Sequence, residues 1–112
     1  MDLVVESSTH RGWAVISVQG ELDLHSSPAL TDEIAGALDQ EAPHIAVDLT
    51  AVSFIDSTAL GVLVASLKRA RERDGELTLV GANGSPLKVL TLTGMAEGVF
   101  PMTVSIDDLQ PR

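Results

Sequence analysis

Cysteine and tyrosine are absent from these 112 residues, and one Trp with two Phe make up the whole aromatic content. Without thiols the chain offers no disulfide framework, no thiolate metal site and no cysteine redox chemistry. With so few rings it lacks a platform on which single-stranded bases could stack. Positive charge is scarce too: 7 Lys+Arg stand against 16 Asp+Glu, a net charge of -9. Most of the basic residues gather at Lys68, Arg69, Arg71 and Arg73. Counterion release on nucleic acid needs a basic footprint spread over a face, so no nucleic-acid partner is expected. The acidic surface suits solubility and the rejection of wrong partners.

Long apolar runs are missing as well. The most apolar stretch, Ala59 to Leu67, falls far short of the roughly 20 residues that span a bilayer. Met1 is followed by Asp2 rather than by the basic and apolar segments of a secretory leader. No membrane partner and a cytoplasmic location are therefore expected. With 45% hydrophobic and 21% charged residues and no repeat, linker or low-complexity segment, residues 1–112 are expected to form one domain. The tail from about Asp107 is expected to be loose.

What is present reads first as a hairpin. Leu3-Val4-Val5-Glu6 and Trp13-Ala14-Val15-Ile16-Ser17-Val18 are β-prone runs, separated by polar Ser8-Thr9-His10-Arg11-Gly12. Ser26-Ser27-Pro28 marks a helix start, and Leu30, Ile34, Ala37 and Leu38 carry helical spacing to about Gln40. His44 to Leu49 reads as a strand buried on both faces, with Asp48 near its carboxyl end. From Ser57, the residues Leu60, Leu63, Val64, Leu67 and Ala70 give a second helix, for which Gly75 is the predicted stop after basic residues that complement the helix dipole. Leu77 to Val80 reads as a strand, Pro86 to Leu92 as a short helix ending near Gly94, and Met102 to Ser105 as an edge strand. Strand alternating with helix implies right-handed crossovers onto a mostly parallel sheet of about five strands, made mixed by the antiparallel first hairpin, with flanking helices: an α/β fold.

The chemistry concentrates where the third strand hands over to the second helix, at Val52-Ser53-Phe54-Ile55-Asp56-Ser57-Thr58-Ala59-Leu60-Gly61. Asp56 and Ser57 serve a helix start by capping its free N–H groups, a contribution of about 1 kcal/mol. The same position makes Ser57 reachable by a kinase. A phosphate there would bring about two negative charges to the positive end of the helix while crowding Asp56. Gly61 early in the helix needs a reason, either packing against the sheet or room for a partner.

Two enzymatic readings fit less well. A nucleophilic Ser57 needs a base, but His10, His25 and His44 are scattered and no Gly-x-Ser-x-Gly elbow is present. Asp23, Asp48 and Asp56 could gather around Mg²⁺ as in a phospho-accepting receiver domain. Yet the first strand lacks paired acidic residues, the last lacks lysine, and turn capping accounts for all three aspartates. No enzyme activity, metal or cofactor is expected.

The ordered set Gly20-Glu21-Leu22-Asp23, Val47-Asp48-Leu49, Phe54 to Gly61 and Leu92-Thr93-Gly94-Met95 resembles the STAS domain family over nearly the whole chain. Within that family it looks like the bacterial anti-anti-sigma factors, or anti-sigma factor antagonists. The resemblance implies a small α/β domain that regulates transcription by protein binding. Unphosphorylated, it would bind an anti-sigma factor, typically a serine kinase, and so release a sigma factor. Phosphorylation by that kinase would end the interaction, and a serine phosphatase would reset it. Carried over residue by residue, the resemblance makes Ser57 the phospho-acceptor and Thr58 the runner-up. It assigns Glu21, Asp23, Asp56, Ser57, Thr58 and Leu60 to the partner face. The family motif often has Gly where Ala59 stands, a departure of one methyl that bears on the fit to a given kinase more than on the fold. STAS domains also serve as small subunits of lipid-transport ABC assemblies, the alternative that this resemblance leaves open.

Overall fold

Two residues with positive φ, Arg11 at 54° and Gly12 at 86°, turn the chain between His10 and Trp13, which pair directly across the first hairpin. Positive φ at both central positions gives the turn a twist that matches its strands. In the computed structural model, which describes residues 3–112, this hairpin joins β1 (Val4–His10) to β2 (Trp13–Leu22). Met1 and Asp2, on which the expectation of no leader rested, lie outside the described residues. The polar segment expected to separate the strands is itself mostly strand, because Ser8, Thr9 and His10 pair with Val15, Ala14 and Trp13 on the sheet edge.

The five strands lie in sequence order, β1 antiparallel to β2 and the rest parallel. This is the mixed, mostly parallel sheet that the alternation of elements predicts. Strand β3 (His44–Ile55) runs well past the expected end at Leu49. Its pairing with β2 slips between Ser17 and Gln19 and again between Gly20 and Glu21, leaving extra residues on β3. Such bulges break the two-residue alternation by which a strand is read from sequence. Asp48 therefore sits within β3 rather than at its carboxyl end, where the pairing with β4 (Glu76–Val80) finishes opposite Val80.

Helix α1 (Ser27–Leu38) follows β2 and buries Leu30, Ile34 and Leu38 at four-residue intervals, with Pro28 in its first turn. Helix α2 (Ser57–Glu72) buries Ala59, Leu60, Leu63, Ser66, Leu67 and Ala70. At its end Gly75 N–H donates to the Ala70 carbonyl at 2.8 Å and Asp74 N–H to Arg71 at 3.2 Å. These paired bonds form a Schellman ending. The left-handed residue is Asp74, at φ 63°, directly before Gly75, the predicted stop. Gly75 answers a different need: a Cβ there would lie 1.8 Å from the Pro43 carbonyl oxygen, so the chain entering β3 passes against it.

Helix α3 (Gly84–Leu92) begins two residues before the expected Pro86, and strand β5 (Met102–Thr103), two residues shorter than expected, completes the sheet. Buried residues of the helices share one core with Ile16, Val18, Ile45, Val47, Leu49, Leu77 and Leu79. Alternate residues Trp13, Val15, Ala46 and Val80 form a second cluster with Leu109. The tail expected to be loose supplies that cover. A short 3-10 helix, Ile106–Asp108, is closed by a Ser105–Asp108 capping box. Trp13 Nε1 donates to the Gln110 carbonyl at 2.7 Å, Arg11 Nη1 to the Asp107 carbonyl at 2.7 Å, and Arg112 N–H to the Arg11 carbonyl at 2.7 Å. Hydrophobic burial of Leu109 and these bonds offset the ordering of a segment that by composition alone looks polar and free.

Candidate functional site

Neighbouring parallel strands end at the same end of a sheet, which brings the segments after β2 and β3 together. Leu22 is opposite Ile55, and Asp56 N–H donates to the Leu22 carbonyl at 3.0 Å. Asp56 then leaves the strand in extended conformation and caps α2, its Oδ1 accepting the Ala59 N–H at 2.9 Å. The cap read from sequence is therefore present. The second carboxylate oxygen does what sequence alone does not show: Oδ2 accepts the Leu24 N–H at 2.9 Å and fastens the β2–α1 loop to the start of α2.

That loop is bonded at nearly every residue. Asp23 Oδ1 accepts the N–H groups of His25 at 3.0 Å and Ser26 at 2.9 Å. Ser26 Oγ accepts Asp23 N–H at 2.9 Å and donates to the Glu21 carbonyl at 2.6 Å. Ser27 N–H closes onto the Asp23 carbonyl at 2.8 Å. The Ser26 N–H holds the Asp23 carboxyl below the ordinary carboxylate value of 3.8; desolvation opposes this, and the Ser26 side chain, the His25 N–H and the His25 charge add to it. A depressed folded-state pKa means that its contribution is present at neutral pH and is lost as the pH falls through that lowered value.

Ser57 and Thr58 occupy the first two helical positions of α2, both exposed. The cap engages Ala59 N–H and the Asp56 carbonyl receives Leu60 N–H at 3.0 Å. The N–H groups of Ser57 and Thr58 thus stand at the open, positive end of a 16-residue helix. Of the residues assigned to the partner face, Glu21, Asp23, Asp56, Ser57 and Thr58 come together here at the sheet end. Leu60 turns inward: it is only 8% exposed and belongs to the core. Gly61, four residues after Ser57, faces outward, and a Cβ there would touch nothing within 4 Å. Packing against the sheet is thus not its reason.

His10 and His44 lie at the opposite end of the sheet. His10 Nε2 is 3.5 Å from Asp107, and the His44 ring stands edge-on to Trp13 at 5.1 Å. Asp48 accepts the N–H and hydroxyl of Thr50, at 2.9 and 2.6 Å, apart from the Asp23–Asp56 pair. Among the described residues no group of three His, Cys, Asp or Glu is arranged to hold a metal ion. One exposed apolar residue went unmarked in the sequence: Leu24, 61% exposed at the tip of the bonded loop. A single Leu between Asp and His carries no periodic signal by which to find it.

Residues 4–109 match the family model described as STAS domain. An anti-sigma-B factor antagonist from Staphylococcus epidermidis is 34% identical over 98 residues, which covers 87% of this chain and 90% of that one. An anti-sigma F factor antagonist from Paenibacillus polymyxa is 29% identical over 96 residues, 85% of this chain and 82% of the relative. The crystal structure of an anti-sigma factor antagonist from Mycobacterium paratuberculosis superimposes with a TM-score of 0.84 at 29% identity, covering 96% of this chain and 90% of that one.

Proposed function

The chain belongs to the STAS domain family, and from that membership we propose that it is an anti-sigma factor antagonist switched by phosphorylation of Ser57. Unphosphorylated, it binds an anti-sigma factor that is a serine kinase, and a sigma factor is released. In the reverse step the Ser57 hydroxyl oxygen attacks the γ-phosphorus of ATP on that kinase, the bond from γ-phosphorus to the ADP oxygen breaks, and the hydroxyl proton passes to the kinase or water. A serine phosphatase hydrolyses the ester and restores the hydroxyl. The exchange takes place in the cytoplasm; among the described residues no helix is long and apolar enough to cross a membrane.

The observation that carries this reading is the exposed hydroxyl of Ser57 at the leading turn of α2, beside a carboxylate already committed to two N–H groups. The helix end favours the new anion, so the modified domain stays folded. Docking does not tolerate it. In the product complex the phosphoserine faces the terminal phosphate of ADP and the Asp56 carboxylate, and burying that charge unpaired costs several kcal/mol. Loss of about 2.7 kcal/mol is a hundredfold in affinity.

Incubating the purified protein with anti-sigma kinases of its own genome and ATP, followed by mass-spectrometric mapping, identifies the cognate kinase as the one that modifies Ser57. Ser57→Ala should then bind that kinase persistently, and Ser57→Asp at least a hundredfold more weakly. Modification of Thr58 instead would move the switch by one residue, and equal binding of the two Ser57 variants would remove it.

A further inference from the structure

We propose that Leu24 is an apolar anchor that the domain inserts into a pocket of its anti-sigma partner, and that it sets which partner the Ser57 switch serves; this rests on the functional reading above. An exposed leucine alone signifies little, since single apolar side chains are common on surfaces. Leu24 differs in how it is held. Asp56 Oδ2 takes its N–H, Asp23 Oδ1 takes the N–H groups of the next two residues, and Ser26 ties the loop back to Glu21. The loop spends its hydrogen-bonding capacity internally and presents one large apolar side chain, 61% exposed. A loop already fixed in one conformation loses little entropy on binding, so burial of the leucine converts more fully into affinity.

The surroundings state what the partner must offer. The anchor is one hydrogen bond from Asp56, the residue that precedes Ser57, so a kinase reaching the hydroxyl covers the loop as well. Phe54, whose backbone pairs with Glu21, adds a second half-exposed apolar side chain at the same end of the sheet. Asp23 is a carboxylate at neutral pH, as an ordinary aspartate is, with the Ser26 N–H favouring that charge further, and Glu21 is half-buried two residues before it. The complementary surface is an apolar slot for Leu24 with cationic or N–H donor groups at the rim facing Glu21 and Asp23. Leu24 touches no reacting atom, so its contribution is to docking and selection.

The test uses the kinase identified by its modification of Ser57. Leu24→Ser keeps the backbone N–H that Asp56 holds, so the fold and the loop remain. It should weaken binding ten- to a hundredfold and raise the KM for phosphorylation by a similar factor, with kcat unchanged. Leu24→Met should restore binding to within threefold, whereas Val104→Ser, at an 85% exposed apolar residue beyond β5, should change nothing. Wild-type binding by Leu24→Ser, with Ser57→Asp still unable to bind, overturns the anchor and leaves the switch standing. If Ser57→Asp binds as tightly as wild type, the switch falls and the anchor with it.

Discussion

The Asp56 carboxylate and the Leu24 N–H, 2.9 Å apart, join two loops that are 32 positions distant in the chain. Because the other Asp56 oxygen caps α2 through Ala59, one side chain both starts the helix and sets the height of the neighbouring loop.

Asp56→Ala is therefore expected to cost more than an ordinary cap. The cap alone is worth about 1 kcal/mol, and with the loop bond the loss should reach about 2 kcal/mol. Urea unfolding should show a lower midpoint at unchanged slope. Amide exchange at Leu24 should accelerate more than at Leu79 in β4; equal acceleration at both sites would show that the carboxylate serves the helix only.

Gly61 sets stability against binding. A methyl group meets nothing within 4 Å there, so Gly61→Ala should raise stability by up to about 1 kcal/mol through helix propensity. The same methyl lies on the Ser57 side of α2, four residues on. Calorimetry against the cognate kinase should show weaker binding for the more stable variant. Unchanged affinity would mean that the partner does not approach this turn.

The docked tail can be followed through Trp13, the single tryptophan of the chain. Leu109 is 2% exposed and shares its cluster with Trp13. Leu109→Ala should cost about 2 kcal/mol, the lower part of the range for buried leucines. Emission from Trp13 should shift to the red as water reaches the indole. A variant with wild-type emission and stability would place the tail's hold in its hydrogen bonds to Arg11 and Trp13 alone.

Much of this architecture is legible in the residue order because it depends on neighbours in the chain. Hydrophobic spacing marks α1 and α2, the Asp56-Ser57 pair marks where α2 begins, and the alternation of strand and helix implies the parallel sheet. The position of the Ser57 hydroxyl is legible for the same reason, since a hydroxyl directly after a capping carboxylate lies at a helix tip whatever surrounds it. Strand β3 is only half legible: its bulges disrupt the alternation, so Asp48 reads as a strand end when it lies inside one.

Sequence by itself determined the α/β class, the start of α2 and the position of Ser57, because capping and periodicity are properties of a few consecutive residues. Tertiary structure alone decided that Leu60 points inward and Gly61 outward, that Asp74 takes the left-handed turn after α2, that Leu109 seals the second face of the sheet, and that Asp56 fastens Leu24 to the start of α2. Those choices depend on which distant backbone arrives alongside, as Pro43 does against Gly75. Such an approach is settled only when the sheet has assembled.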